Sequence, residues 1–412
     1  MNKKVLVLVV GLLLLATPVF AAFVDDNDTW KFNMERVRYR FQYFIQSASG
    51  DGDTYEFLDD DFDTTWAFSK GELKVWFELE PADSNMGDDT HPNTDWDSVL
   101  GNYGAKWTPE SLADSSFVFQ VGDFGTGFGK AINTDESPRG SVGVSWKMGD
   151  VAVVLEYGRK YEGKTDDDVE GDEHLIRGQV HMPLGESGFN LGAYAVLYTG
   201  SDIIFSEDVK GDRNVFLGAG EFSGKVSNLD LYSEFGFASG KTDETGEEVD
   251  LSGFYIMGGT SVAVGQVTLG IEGGFATGDK NGWEDGKDEG FTAVSSDFWL
   301  GQVLHDESLI LRSNGKDGGL SNIVYGQVTA GISPTDKLSL DAGVIYLKPA
   351  EEIVSPYTGV QADTYGTEVF GSVNYKLADS LKYILYWGYA IVNEDFIEDN
   401  QYQLHNRLEF NF

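Results

Sequence analysis

Residues 402–412 read YQLHNRLEFNF, an alternation of apolar and polar residues that runs to the last position. Successive side chains of an extended chain point to opposite faces. Tyr402, Leu404, Leu408, Phe410 and Phe412 therefore share one face, and Gln403, His405, Arg407, Glu409 and Asn411 the other; Asn406 departs from the pattern. A sheet that stops in mid-strand exposes a row of unpaired N–H and C=O groups. A closed membrane barrel has no such edge, because its last strand pairs with its first and the wall satisfies every backbone group. The stretch thus predicts the closing strand of a barrel, with its apolar face on lipid and aromatic residues at the interfaces. An edge strand of a secreted sandwich is the competing reading, and such sandwiches seldom need as many long strands as this chain offers.

The opposite end names a compartment. Lys3 and Lys4 precede an apolar run over residues 5–15 broken only by Gly11, and Val19, Phe20 and Ala21 suit cleavage. This is the pattern of a signal peptide over residues 1–21, too short for a membrane helix of roughly 20 residues. Residues 22–412 are then expected to form a single domain, since proline is scarce and no linker-like shift in composition appears.

Charge and composition exclude several classes. With 68 acidic and 29 basic residues, the formal net charge of -39 excludes nucleic acid as a partner. The absence of cysteine rules out disulfides, thiolate metal sites and haem attachment, and no cofactor is expected. The 51 glycines suit a chain of many strands and turns.

Segments of alternating apolarity recur along the chain, joined by connections that are alternately very short and long. Hairpins are predicted at 141–146 with 151–157, 215–226 with 229–237, 254–264 with 267–275, and 368–377 with 381–392. Between them lie acidic, glycine-rich stretches such as YEGKTDDDVEGDE, which read as solvated outer loops. Short turns at one rim and long polar loops at the other are the signature of an all-β, antiparallel transmembrane barrel with periplasmic turns. About eighteen strands are predicted, an even number as such barrels require. The strand over 57–69, interrupted by Asp59, Asp60 and Asp61, is needed for that parity. A further hairpin around Phe298, Trp299 and Leu300 has room between Asp279 and Gly319, which leaves about sixteen to twenty strands open. Barrels of this size enclose water rather than packed side chains, and little chain is left for a plug.

On the first strand, Val37, Tyr39, Phe41, Tyr43 and Ile45 belong to the lipid face, so Arg36, Arg38 and Arg40 point inward two residues apart. Such a row repels itself unless acidic groups or anionic solutes offset it. A basic ladder along the pore and an ion-pair lattice are both expected readings, the lattice drawing on Asp59, Asp61 and Asp63 or on Glu72, Glu78 and Glu80. Residues 121–129, VGDFGTGFG, close the fifth strand and open the third long loop. Their glycines permit a sharp bend back into the barrel. The expected constriction loop carries Asp123, Lys130, Asp135, Glu136 and Arg139, with Asp135 and Glu136 facing the arginine row. An outward loop is the alternative. The five histidines lack metal-ligand spacing, and His174 and His181 fall on opposite faces of one strand, so no enzyme activity is expected. Carboxylate clusters such as Asp166, Asp167 and Asp168 keep no EF-hand spacing.

The whole mature chain resembles a Gram-negative porin, in the style of the alginate-export and phosphate-selective porin families. The resemblance is carried by RVRYRFQYF, YGAKWTPESLADSSFVFQVGDFGTGFGK, GLSNIVYGQVTAGISPTDKLSLDAGVIYLK and YGTEVFGSVNYKLADSL. It implies a third loop that narrows the pore and inward arginines that set selectivity, at Arg36, Arg38 and Arg40. A terminal strand closing in Phe also looks like the signal read by the barrel assembly machinery, at Tyr402, Phe410 and Phe412. The expected partners are therefore outer-membrane lipid, that machinery and small hydrophilic solutes, with a homotrimer left open. Passive diffusion through a water-filled channel is the expected function. A channel selective for an acidic saccharide or oxyanion, or a non-conducting scaffold, adhesin or redox-partner sheath, is the alternative.

Overall fold

Period-two alternation becomes strand over most of the described residues. The structure, a computed structural model, describes residues 31–47, 54–79, 84–86, 100–108, 117–122, 128–130, 141–160, 173–185, 188–206, 209–243, 248–280, 285–291, 298, 300–304 and 320–411. The first half of the barrel consists of β1 (Lys31–Ser47), β2 (Thr54–Lys70), β3 (Leu73–Leu79), β4 (Leu100–Trp107), β5 (Val118–Gly122), β6 (Ser141–Met148), β7 (Val151–Lys160), β8 (Glu173–Pro183) and β9 (Phe189–Ser206). The second half follows as β10 (Val209–Val226), β11 (Leu229–Thr242), β12 (Val249–Val264), β13 (Val267–Ala276), β14 (Ile323–Thr335), β15 (Leu338–Lys348), β16 (Gly366–Ala378), β17 (Leu381–Val392) and β18 (Gln401–Asn411). These 18 strands form one closed antiparallel ring. Each pairs with the next in sequence, and β18 returns to β1 with Glu409 opposite Arg40 and Leu408 opposite Phe41.

Burial separates the two faces of the wall. On β11, Phe235 is 57% exposed whereas Glu234, one residue away, is 2% exposed. Phe216, Phe237, Phe254, Ile256 and Ile271 continue the outward apolar surface across β10 to β13. Its rings pair between strands, Phe216 with Phe237 at 5.7 Å and Phe254 with Phe275 at 5.6 Å. A continuous apolar exterior of this extent belongs against hydrocarbon, so the strands cross a membrane.

The turns at Gly71 and Glu72, Gly149 and Asp150, Ser227 and Asn228, Gly265 and Gln266, Asp336 and Lys337, and Asp379 and Ser380 all lie at one rim. At the last of these Lys376 hydrogen-bonds Asp379 at 2.9 Å, and this bond, then the lysine charge, holds the exposed carboxyl below its ordinary range. The connections after β4 and β8 also start at this rim, the Thr108 N–H donating to the Glu72 carbonyl at 2.9 Å, and the described ends of the remaining connections lie at the other rim. One departure from expectation occurs there. Strands β9 and β10 extend to Ser206 and resume at Val209, with Gly200 opposite Arg213, because irregular pairing continues the hairpin past the point where apolar alternation fades. No extra hairpin forms around Phe298 and Leu300 among the described residues; instead Phe298 and residues 300–304 turn inward. Leu304, Phe291 and Phe396 are fully buried at this rim against wall residues such as Ile345 and Leu347. The connections themselves therefore fill part of the lumen, without a separate plug among the described residues.

Candidate functional site in the lumen

The inner face of β1 carries Arg36, Arg38, Arg40, Gln42 and Phe44, after a register shift between Met34 and Arg36. Cross-strand pairing puts Arg38 opposite Asp63 of β2, and the two form an ion pair. Arg36 reaches the same carboxylate at 3.5 Å and Glu78 of β3 at 3.9 Å. Of the acidic partners expected from the sequence, the structure thus brings Asp63 and Glu78 to the row. Glu72 instead accepts the Trp107 indole N–H at 2.9 Å. The side chains of Asp59 and Asp61, and the whole of Glu80, lie outside the described residues. The Arg36 side chain remains 44% exposed and that of Arg38 26%, so water and solutes reach guanidiniums whose repulsion Asp63 partly offsets.

The closing strand extends this wall. Gln42 Oε1 accepts from Arg407 Nε at 2.7 Å and lies 2.9 Å from His405 Nε2. The His405 ring stacks on Phe44 at 3.9 Å, and the Arg407 guanidinium lies 5.5 Å from the Tyr386 ring centroid. Arg407 joins the basic wall because β18 pairs with β1, which period-two reading of either strand alone does not reveal.

Nine strands around the ring from β1, the wall turns acidic. Glu221 of β10 stands directly opposite Glu234 of β11, and Glu272 of β13 lies beyond. Like charges in such register repel, and specific donors offset them. Tyr255 donates to Glu234 at 2.6 Å, Tyr325 donates to Glu272 at 2.9 Å, Tyr232 also donates to Glu272, and His181 approaches Glu221 within 3.0 Å. None of these glutamates was expected from the sequence as a pore residue. The available signal was a glutamate in an inward row with glycine two residues away on the same face, as in Gly236 beside Glu234 and Gly270 and Gly274 beside Glu272.

Between the two walls runs the connection that follows β5. Phe128 is buried, its ring 5.3 Å from Tyr194 and 5.4 Å from His181. The Lys130 backbone N–H donates to Glu234 at 2.6 Å, while its ammonium lies 2.9 Å from Glu272 and 3.6 Å from the Tyr232 ring centroid. Strands β11 and β13 stand six and eight places from β5 in the ring, so residues 128–130 have crossed the lumen. The expected inward bend is present in this part, but it delivers a lysine to the glutamate wall. Asp123, Asp135, Glu136 and Arg139 lie outside the described residues. Beside the segment is a cavity of about 680 Å³ lined by Lys130, Glu221, Asp230, Tyr232, Glu272 and Gln327 among others.

On the outer face of β18, Tyr402 stands opposite Tyr389 and the Phe410 ring lies 6.2 Å from Tyr39; Phe412 is outside the described residues. Asn406, the break in the alternation, accepts a hydrogen bond from Tyr383 at 2.6 Å. His174 contacts Tyr157 on the outer face and His181 faces the lumen, as their spacing requires.

No family model and no curated protein matches the chain. Solved structures share its fold. The Pseudomonas aeruginosa protein OpdK, determined with vanillate, is 12% identical over 95% of this chain and 99% of its own, with a TM-score of 0.56. OccK2 (OpdF) from the same organism, in complex with glucuronate, is 11% identical over 95% and 97%, with a TM-score of 0.55. The P. aeruginosa outer membrane protein OprD gives 12% identity, 95% and 97% coverage and a TM-score of 0.54. The shared fold extends over nearly the full length of each chain and is that of OprD-like outer-membrane barrels, which supports the porin resemblance without singling out the alginate-export or phosphate-selective families.

Proposed function

We propose that the chain is an outer-membrane porin, a water-filled channel through which small hydrophilic solutes diffuse passively. One observation carries this reading: a membrane-spanning ring of 18 strands holds the row of Arg36, Arg38, Arg40 and Arg407 on one side of its lumen and Glu221, Glu234 and Glu272 across from it. Charges facing each other across an aqueous lumen with low-dielectric walls create a transverse field that orients dipolar solutes and sorts ions. In this reading Arg36, Arg38 and Arg40 line the pore and Lys130 belongs to its constriction. Tyr402 and Phe410 face lipid near the seam, where the assembly machinery would meet the closing strand.

Single-channel recording of the purified protein in a planar bilayer tests the reading, with reversal potentials in a salt gradient. A large ohmic conductance is expected, and replacing Arg36, Arg38 and Arg40 together by Ala shifts ion preference toward cations. A native barrel that passes no current would leave the scaffold, adhesin or sheath reading in its place.

A second reading, a channel selective for carboxylate-bearing solutes such as an acidic saccharide, is favoured by the accessible guanidiniums of Arg36 and Arg38. Guanidinium is the side-chain group best matched to carboxylate geometry, and two of the proteins sharing this fold are described with vanillate and with glucuronate. Glucuronate added on one side should then produce concentration-dependent current block in the native channel and none in the triple Ala variant.

A further inference from the structure

We infer that Glu234 and Glu368 are positioning residues that set the size limit of the pore, each clasping the tip of an inward connection through backbone N–H groups next to a left-handed glycine. The inference rests on the porin reading above. At the first clasp, Gly129 has φ of 62° and the next residue, Lys130, donates its N–H to Glu234 at 2.6 Å. A Cβ at position 129 would fall 2.2 Å from Glu234 Oε2, so the carboxylate occupies the space a side chain would need. The second clasp repeats the arrangement. Gly301 has φ of 75°, and a Cβ there would fall 2.5 Å from Glu368 Oε2. The following three residues donate to that carboxylate, Gln302 at 2.6 Å, Val303 at 3.1 Å to Oε1 and 3.2 Å to Oε2, and Leu304 at 2.9 Å.

Successive backbone N–H groups after such a turn form a concave anion seat, and a carboxylate in it makes charge-assisted hydrogen bonds. Here the anion belongs to the barrel wall. The wall strand also clears room: a Cβ at Gly388 of β17 would come within 2.6 Å of Val303. Both tips come from different long connections, and both are held by a glutamate on an inward row, on β11 and β16. The tips therefore occupy cross-section that an empty ring of this size would leave to water. Without Glu368, the three N–H donors lose their acceptor inside an apolar cluster that includes Val303 and Leu304. A buried donor without a partner is costly, so the tip must leave the cluster and withdraw from the pore toward the water outside its rim to hydrate them.

Because the chain has no cysteine, a single Val303→Cys in the full-length protein reports on the second tip directly. Its rate of reaction with a water-soluble maleimide is compared with and without Glu368→Ala, alongside conductance and the exclusion of graded polyethylene glycols. Faster labelling, higher conductance and admission of larger polymers in Glu368→Ala are expected. Gly301→Ala approaches the same contact from its other side and should reproduce all three changes, the double variant adding nothing further. Equal labelling rates, or a polymer limit unchanged in both single variants, overturn the clasp while leaving a conducting porin intact. A native channel that passes no current overturns the porin reading instead, and the size limit with it. If Glu368→Ala fails to fold, the Gly301→Ala arm decides by the same readouts.

Discussion

Lys130 is the residue at which charge, aromatic surface and loop meet. Its ammonium on the Tyr232 face and on Glu272 is partly open to water, so the two contacts together contribute on the order of 1 kcal/mol. Lys130→Ala should therefore leave the barrel folded, measured by its thermal unfolding, and shift the reversal potential toward cations by uncovering Glu272. Asn406 presents the converse case, a polar group on the lipid face. Alternation marks it as the one misfit of the closing stretch, but only the Tyr383 hydroxyl explains it. Interhelical hydrogen bonds in membranes have measured contributions of about 0.6 kcal/mol on average. On that scale Asn406→Leu should change unfolding free energy in urea by less than about 1 kcal/mol, since lost bonding is offset by better lipid contact.

At the scale of the strand, β1 and β2 act as one charged unit. Asp63 is 1% exposed and serves both Arg36 and Arg38. Asp63→Ala removes the carboxylate that two neighbouring guanidiniums share, and should lower stability by about 1–3 kcal/mol in thermal unfolding while raising preference for anions in bilayer recordings. Strand faces were legible in the sequence because a period of two assigns each residue to lipid or lumen; this placed Arg36, Arg38 and Arg40 together and separated His174 from His181. The hairpins were legible through their turn residues, Gly265 and Gln266 among them. Parity does not say which strands stand across the ring from each other. Glu221, Glu234 and Glu272 were therefore invisible as a wall, and Arg407 as part of the arginine row. The extension of β9 and β10 was hidden because irregular pairing, rather than apolar alternation, carries it.

At the scale of the whole molecule, the proposed selectivity would be a collective property of the arginine row and the glutamates across the lumen from it. Such a field is screened over a Debye length of about 10 Å at 0.1 M salt and about 3 Å at 1 M. Ion preference should accordingly be pronounced at the lower concentration and fall toward the ratio of free ionic mobilities at the higher one, as reversal potentials at the two salts will show. The ring itself was anticipated from the closing stretch, since alternating residues at 402–412 need a partner on both sides and β1 supplies one. What occupies its interior was only partly anticipated. Glycines at 122, 125, 127 and 129 announced a bend, but nothing local in residues 300–304 announces a tip that docks on a glutamate more than sixty positions away.

The seam between β1 and β18 also orders events in time. Residues 31–47 find β2 almost at once, yet their other edge waits for residues 401–411, the most distant partner the chain has to offer. Closing so long a loop makes the last pairing slow, and until it forms the nascent wall presents an open edge able to recruit any extended segment nearby. Some shelter for that edge is thus a kinetic requirement of the topology, whatever supplies it. The seam is a matter of chain order alone: a permutant cut at the Gly265 turn, with the old ends joined, keeps the same ring and differs only in which pair must wait.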